Sequence, residues 1–451
     1  MTYLVMVGSL MLLILGASSS SEHGSLKDRC NSEVFTAHEC VRRRDVNGTC
    51  NWCHCRPPSG DVDPACFSPY AASVLPGFCD CTTNHTAAAA AVTATATPPA
   101  LLWKSRILGE GGMKSDAVLV TIDGVREAAL IIGANDGNVY SMGTAAGVLR
   151  WNVSTGGMVF AGATLDPGDG GATAYIGSGD GSEYALRSAD GAVLWRFATG
   201  GPVYSNPTVA PAAAGRPEVL YTGSADHKLY ALTAKGGKPL WSVDLGGPVA
   251  SFSILSPAGD ALYVGCHDGR VYKVSTAGGG VQWSFGTAAQ VQSDQTMSAD
   301  GATLYIGSDD GLLYALDTAS GRPRWNYTAG GAVQSGITLN GAEDTVFFGS
   351  YDGHIYAVAT AGGALRWRAA TGGQVGSKPK LWPRAPGAER YLLQGSFDGK
   401  MYCLDAASGA QLWAFATAGP VHSDPTLSED GQRVYFGSYD NFVYALSTGF
   451  K

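Results

Sequence analysis

The chain has 451 residues, with 30 Lys and Arg against 38 Asp and Glu, a formal net charge of −8, and 62 glycines beside only 15% charged residues. That balance disfavours nucleic acid and anionic membranes as main partners, and no basic run opposes it. Dense glycine with few charges fits a turn-rich all-β protein and not a disordered one.

From the N-terminus, Leu4 to Leu15 form an apolar run followed by Gly16-Ala17-Ser18. The run is short for a bilayer span and ends on small residues. Residues 1–20 therefore read as a cleavable signal peptide, with an uncleaved anchor as the alternative. No membrane span is expected after signal removal, and the expected location is secreted or within the secretory lumen. No cysteine follows the small residues, so bacterial lipoprotein processing is not expected.

Residues 21–85 hold eight of the ten cysteines: Cys30, Cys40, Cys50, Cys53, Cys55, Cys66, Cys79 and Cys81. An even, dense set in a small secreted module implies disulfides, whose connectivity the spacing leaves open. Thiolates at Cys50, Cys53 and Cys55 with Cys79 and Cys81 also suit zinc, a reading that an oxidising lumen disfavours. The Cys-x-Trp-Cys string at 50–53 is loosely similar to plexin–semaphorin–integrin type modules, which implies a spacer or interaction element. Glycan sequons stand at Asn47, Asn84, Asn152 and Asn326, whereas the proline after Asn206 excludes that site. The Ala, Thr and Pro composition of 86–100 reads as a linker.

From Gly133 onward one unit recurs: a Gly, a Tyr seven residues later and a Trp eleven after that. The copies are Gly133/Tyr140/Trp151, Gly177/Tyr184/Trp195, Gly223/Tyr230/Trp241, Gly265/Tyr272/Trp283, Gly307/Tyr314/Trp325, Gly349/Tyr356/Trp367 and Gly395/Tyr402/Trp413, then Gly437/Tyr444 without a Trp. The period of 42 to 46 residues suits propeller blades. Each copy predicts four short strands. In the fifth, Thr303–Ile306, Leu312–Leu316 and the Trp325 segment follow one another, and Val333–Leu339 is expected to begin the next blade. The Ser-x-Asp-Gly string between the first two of these is a hairpin signal. Leu101–Leu108 supplies a Trp strand around Trp103 that the last copy lacks. The expected fold is thus an all-β, eight-bladed propeller over 101–451, closed by the Trp103 strand.

The full string Gly307-Ser-Asp-Asp-Gly-Leu-Leu-Tyr-Ala-Leu-Asp-Thr-Ala-Ser-Gly-Arg-Pro-Arg-Trp325 resembles the pyrroloquinoline-quinone-like repeat of quinoprotein alcohol dehydrogenases and their non-catalytic relatives. The resemblance covers about residues 101–451. It implies eight blades, with Trp103, Trp151, Trp195, Trp241, Trp283, Trp325, Trp367 and Trp413 docked on neighbouring blades. In the dehydrogenases the quinone lies near the ring axis on a tryptophan, under a disulfide of adjacent cysteines, with calcium beside it. This chain has no adjacent cysteine pair; Cys266 and Cys403 stand where other copies hold small residues, and only Trp382 is a spare ring in the propeller. No cofactor is therefore expected, with PQQ and calcium as the alternative.

An Asp recurs in every copy (Asp136, Asp180, Asp226, Asp268, Asp310, Asp352, Asp398, Asp440), which suits a turn and not a catalyst needed once. The residue before it varies: Asn135, Gly179, Ala225, His267, Asp309, Tyr351, Phe397, Tyr439. Tyr351, Phe397 and Tyr439 form an aromatic run over three consecutive blades, a candidate contact patch. The Val-x-Ser-x segment of the innermost strand is expected on the same face. Its variable positions Asp116, Asn206, Asp294, Lys378, His422 and Asp424 are candidates for the channel mouth, with calcium the weaker use. No nucleophile motif is present. The expected function is a secreted or luminal, non-enzymatic binding or scaffold protein for a protein or glycan partner. The alternative is a quinone-dependent oxidoreductase acting on alcohols or sugars.

Overall fold

A computed structural model describes the backbone of 52–55, 63–66 and 79–80, and residues 98–450 apart from 123, 213–216 and 384–387. The chain falls into two units, 1–91 and 92–451. In the first, strand Trp52–Cys55 pairs antiparallel with Asp63–Cys66 on one side and Cys79–Asp80 on the other. The register sets Cys55 opposite Cys79. The signal segment, Cys30, Cys40, Cys50, Cys81, Asn47, Asn84 and the linker up to 97 lie outside the described residues.

The second unit is eight four-stranded antiparallel sheets, the propeller expected from the repeat. Blade 1 starts at Val118 and blade 8 at Thr426, numbered along the chain. In blade 5 the strands are Thr296–Met297, Thr303–Gly307, Leu312–Asp317 and Pro323–Thr328. Tyr305 pairs with Ala315 and Ala315 with Trp325, after which a bulge shifts the register. The Val-x-Ser segment precedes the innermost strand and does not open it, because that strand in blade 6 is only Thr338–Leu339. Blade 8 is completed by Leu101–Arg106, where Trp103 pairs with Ala445 and Arg106 with Phe442. Closing the ring in this way leaves no blade face unpaired.

The Asp-Gly turns need a left-handed residue, and the chain supplies one even where glycine is missing. Gly311 has φ 85°, and His227 and Asn441 take its place at 76° and 69°. The side chain of Asn441 also accepts the Gly112 N–H at 2.7 Å.

The core is distributed over the seams between blades. One cluster joins Tyr305, Leu313 and Ala315 of blade 5 to Val346, Phe348 and Tyr356 of blade 6. Another joins Trp103, Tyr435 and Val443 of blade 8 to Leu130, Ile132 and Tyr140 of blade 1. Two-faced burial explains why these strands read as nearly continuous apolar runs.

The repeated residues cross the same seams. Trp325 Nε1 donates to the Thr360 carbonyl of the next blade at 2.7 Å, and Trp103 does the same to Thr144 at 2.8 Å. Trp151, Trp195, Trp241, Trp283 and Trp367 repeat the bond. Trp413 is the exception, buried with no hydrogen-bond partner for its N–H among the described residues. In blade 6, Asp352 accepts the Tyr356 hydroxyl, the His354 N–H at 2.9 Å, and the Gly330 N–H from the preceding loop at 2.9 Å. A Tyr-to-Asp bond of this kind recurs in all eight blades.

Candidate functional site

With the shared residues committed to seams, the positions left free converge on the ring axis. Ser115, Ser205, Ser251, Ser293, Ser335, Ser377 and Ser423 each accept the N–H of a repeat glycine, from Gly133 to Gly437. Those bonds pin the Val-x-Ser segment to its own blade. The residues flanking each serine are thereby held along the channel.

The residue after each serine forms a collar. Asp116 Oδ1 accepts the Asp424 N–H at 2.7 Å, and Asp424 Oδ1 accepts the Lys378 N–H at 2.5 Å. Asn206 Oδ1 accepts the Gly162 N–H at 2.6 Å, and Asp294 Oδ1 the Phe252 N–H at 3.3 Å. Each bond ties a backbone N–H to the side chain of the following blade, so four of the six sequence candidates act as clasps. Where blade 7 offers Lys378 in place of an oxygen, the preceding blade has Gly336, whose missing Cβ makes room for the lysine chain.

Burial is the main force pushing Asp116 up to about 6; Asp294 adds to it and the Asp424 N–H opposes it. Burial and the Asp116 charge push Asp424 well above the usual carboxylate range. Lys114, one serine before Asp116, is lowered by burial, with Asp116 and Asp294 opposing that shift. A cavity of about 330 Å3 adjoins the collar, lined by Asp116, Lys378 and Asp424 with Thr296, Thr338 and Thr426. Among the described residues no group of three or more His, Cys, Asp and Glu is placed to hold a metal.

His422, the sixth candidate, does not join the collar. Its ring lies edge-on to Phe397 at 5.1 Å, and Gly376 leaves space for both. Burial lowers it to about 3, helped by the Lys114 charge, so it is neutral at physiological pH. Phe397 in turn meets Tyr351 at 6.0 Å and Tyr439 at 6.5 Å. The three predicted aromatics are therefore one contiguous, half-buried arc. Asp309 continues it: its charge and burial raise Tyr351 to about 12, burial being the larger cause.

Sequence reasoning passed over Lys114, Phe160 and Tyr204. The Phe160 and Tyr204 rings meet tilted at 5.1 Å, with the Lys114 amine 5.4 Å from the Phe160 ring. The middle residue of the Val-x-Ser segment was the signal that could have found them, since Lys114, Tyr204 and His422 precede its serine and Phe160 precedes Ala161 in the serine's place.

The residues that a bound quinone needs do not fit this axis. Cys266 and Cys403 are fully buried in blades 4 and 7, and Cys266 Sγ is spent on the Gly247 carbonyl at 3.2 Å. Trp382 packs at a blade seam beside Gly431, and the other propeller tryptophans sit on outermost strands.

An eight-bladed ring built from Tyr-Asp clips and seam tryptophans, with residues that vary from blade to blade along its axis, defines a repeat propeller. Stretches 135–296, 210–351, 267–376 and 351–449 match the family described as outer membrane protein assembly factor BamB. They cover most of the ring, and the chain belongs to this PQQ-like repeat family. The crystal structure of BamB from Moraxella catarrhalis is similar at TM-score 0.60 and 18% identity, covering 79% of this chain and 98% of that one. The computationally designed Ika8 protein is similar at TM-score 0.62 and 15% identity, covering 77% and 99%. At such identities the likeness is one of fold. No curated protein matches the chain in sequence.

Proposed function

We propose that this protein is a non-enzymatic binding or scaffold protein of the secretory lumen or cell exterior, with the axial face of its propeller as the contact surface. One observation carries the reading: the repeated carboxylate is bound by its own blade's tyrosine in all eight blades, and by backbone N–H groups too in all but blade 2, whereas the unshared positions supply a contiguous aromatic arc. Aromatics dominate interface hot spots because they bury large area at small entropic cost. The matched family is described as an assembly factor, which supports scaffolding as the role to test here. The apolar leader, the cysteine-dense module and the exposed sequon residues Asn152 and Asn326 support the location.

Two measurements test the reading. Changing Tyr351, Phe397 and Tyr439 together to Ser should abolish partner capture from the secretory fraction while the melting temperature is retained; unchanged capture by a folded triple variant would remove the arc from the function. Titration with PQQ and calcium should yield no stoichiometric chromophore. A tight chromophore with dye-linked oxidation of alcohols or sugars would make the protein an oxidoreductase instead.

A further inference from the structure

The arc is part of a longer belt. Proceeding from blade 4 to blade 1, the free turn positions are His267, Asp309, Tyr351, Phe397, Tyr439 and Asn135. They are neighbours in space: Asp309 acts electrostatically on both His267 and Tyr351, the three rings touch in series, and Tyr439 lies beside Asn135. Blades 2 and 3 break the belt with Gly179 and Ala225. A Cβ on Gly179 would meet the Tyr204 ring at 3.4 Å, so the gap leaves room beside the tilted, half-buried Phe160–Tyr204 pair.

Three polar atoms in this belt are out of solvent and unbonded: His267 Nε2 and Asp309 Oδ1 at one end of the arc and Asn135 Oδ1 at the other. The other oxygen of Asp309 holds Gln292 Nε2 at 2.8 Å, which fixes the carboxylate and leaves Oδ1 open. A buried acceptor without a partner costs about 1–3 kcal/mol, which a hydroxyl brought against these atoms would recover.

Charge selects the ligand class. Tyr351 and Phe397 meet edge to face, and Phe397 and Tyr439 meet tilted at 46°, so the arc is a run of apolar ring surface. Lys114, close enough to act on both His267 and His422, opposes a cation there. An anion would meet Asp309. A neutral ligand with an apolar face and several hydroxyls meets neither objection, because each hydroxyl both donates and accepts.

We propose that this mouth binds a pyranose at the end of a glycan, its C–H face on Tyr351, Phe397 and Tyr439 and its hydroxyls on Asp309 and His267. The inference rests on the binding reading above and narrows its partner to a carbohydrate. Saturation-transfer NMR on the full chain tests it, using millimolar methyl glucoside, methyl galactoside and methyl mannoside beside tetramethylammonium chloride. Transfer to the ring C–H protons of at least one pyranoside is expected. Affinity should fall about tenfold or more in Phe397→Ala and Asp309→Asn, and stay unchanged in Arg126→Ala on the outer surface. If Phe397→Ala fails to fold, Tyr351→Leu reads the same arc. No transfer to any pyranoside, preference for tetramethylammonium, or full affinity in the folded mouth variants would overturn the proposal. Protein capture through the arc without pyranoside binding would overturn this inference and leave the scaffold reading standing.

Discussion

Thr222 Oγ1 donates to Glu183 Oε2 at 2.8 Å across the seam between blades 2 and 3, and at the position of Glu183 every other blade places an apolar side chain, from Val139 to Val443. Glu183 is fully buried, its second oxygen has no partner, and burial pushes its carboxyl up from 4.5 to about 8. The folded state thus holds a proton that the unfolded chain releases near 4.5. Stability contributed by that proton is complete below the unfolded value and is lost as pH rises towards about 8. Glu183→Gln should keep the Thr222 contact and raise stability at pH above 8 by on the order of a few kcal/mol, with little change at pH 4. Denaturant melts of both proteins across that range check it; parallel pH profiles would refute the assignment.

Asp310 accepts from Leu312 N–H at 3.0 Å, the Tyr314 hydroxyl at 2.8 Å and Ala288 N–H at 3.0 Å. Asp310→Ala strands these donors, and a loss of about 2–3 kcal/mol in urea unfolding is expected. Tyr314 is raised by burial first and by Asp310 second. The repeat tyrosines should therefore resist ionisation in an alkaline absorbance titration until the propeller itself unfolds.

His227 bears φ 76° at the turn where most blades use glycine. His227→Gly should stabilise the fold by about 1 kcal/mol, since the left-handed conformation costs a side-chain-bearing residue about 1–2 kcal/mol. Asn441→Ala should do the opposite, because it keeps the strain and deletes the bond to Gly112. Thermal melts of the two variants should move in opposite directions.

Trp103 is 9% exposed and closes the ring through its strand and its bond to Thr144. Trp103→Ala is expected to cost about 3–5 kcal/mol. Since the loss falls on the closing blade, hydrogen exchange should quicken first in Phe442–Ser447 and Leu101–Arg106, the strands it joins. Uniform exchange over all blades would argue against a closure role.

Much of this was legible without coordinates. Invariant spacing from Gly to Tyr to Trp dictates hairpins and seams because those residues solve one packing problem eight times. The missing Trp at the C-terminus and the extra one at Trp103 announce closure for the same reason. The aromatic run at 351, 397 and 439 was readable because a fixed motif places its free residue at one point in each blade. Level within the channel was not readable. Asp116 and His422 occupy neighbouring columns of the same short segment, yet one clasps a backbone N–H and the other packs on Phe397.

By itself the sequence determined the blade, the number of blades and the way the ring shuts, all of which rest on local periodicity and repetition. Tertiary structure alone decided what the unshared residues do. Bringing the eight blades around one axis turned Asp116, Asn206, Asp294 and Asp424 into clasps and lined up His267, Asp309 and the aromatics as neighbours. Contacts between residues a whole blade apart exist only once the ring has closed, and no spacing within a single repeat encodes them.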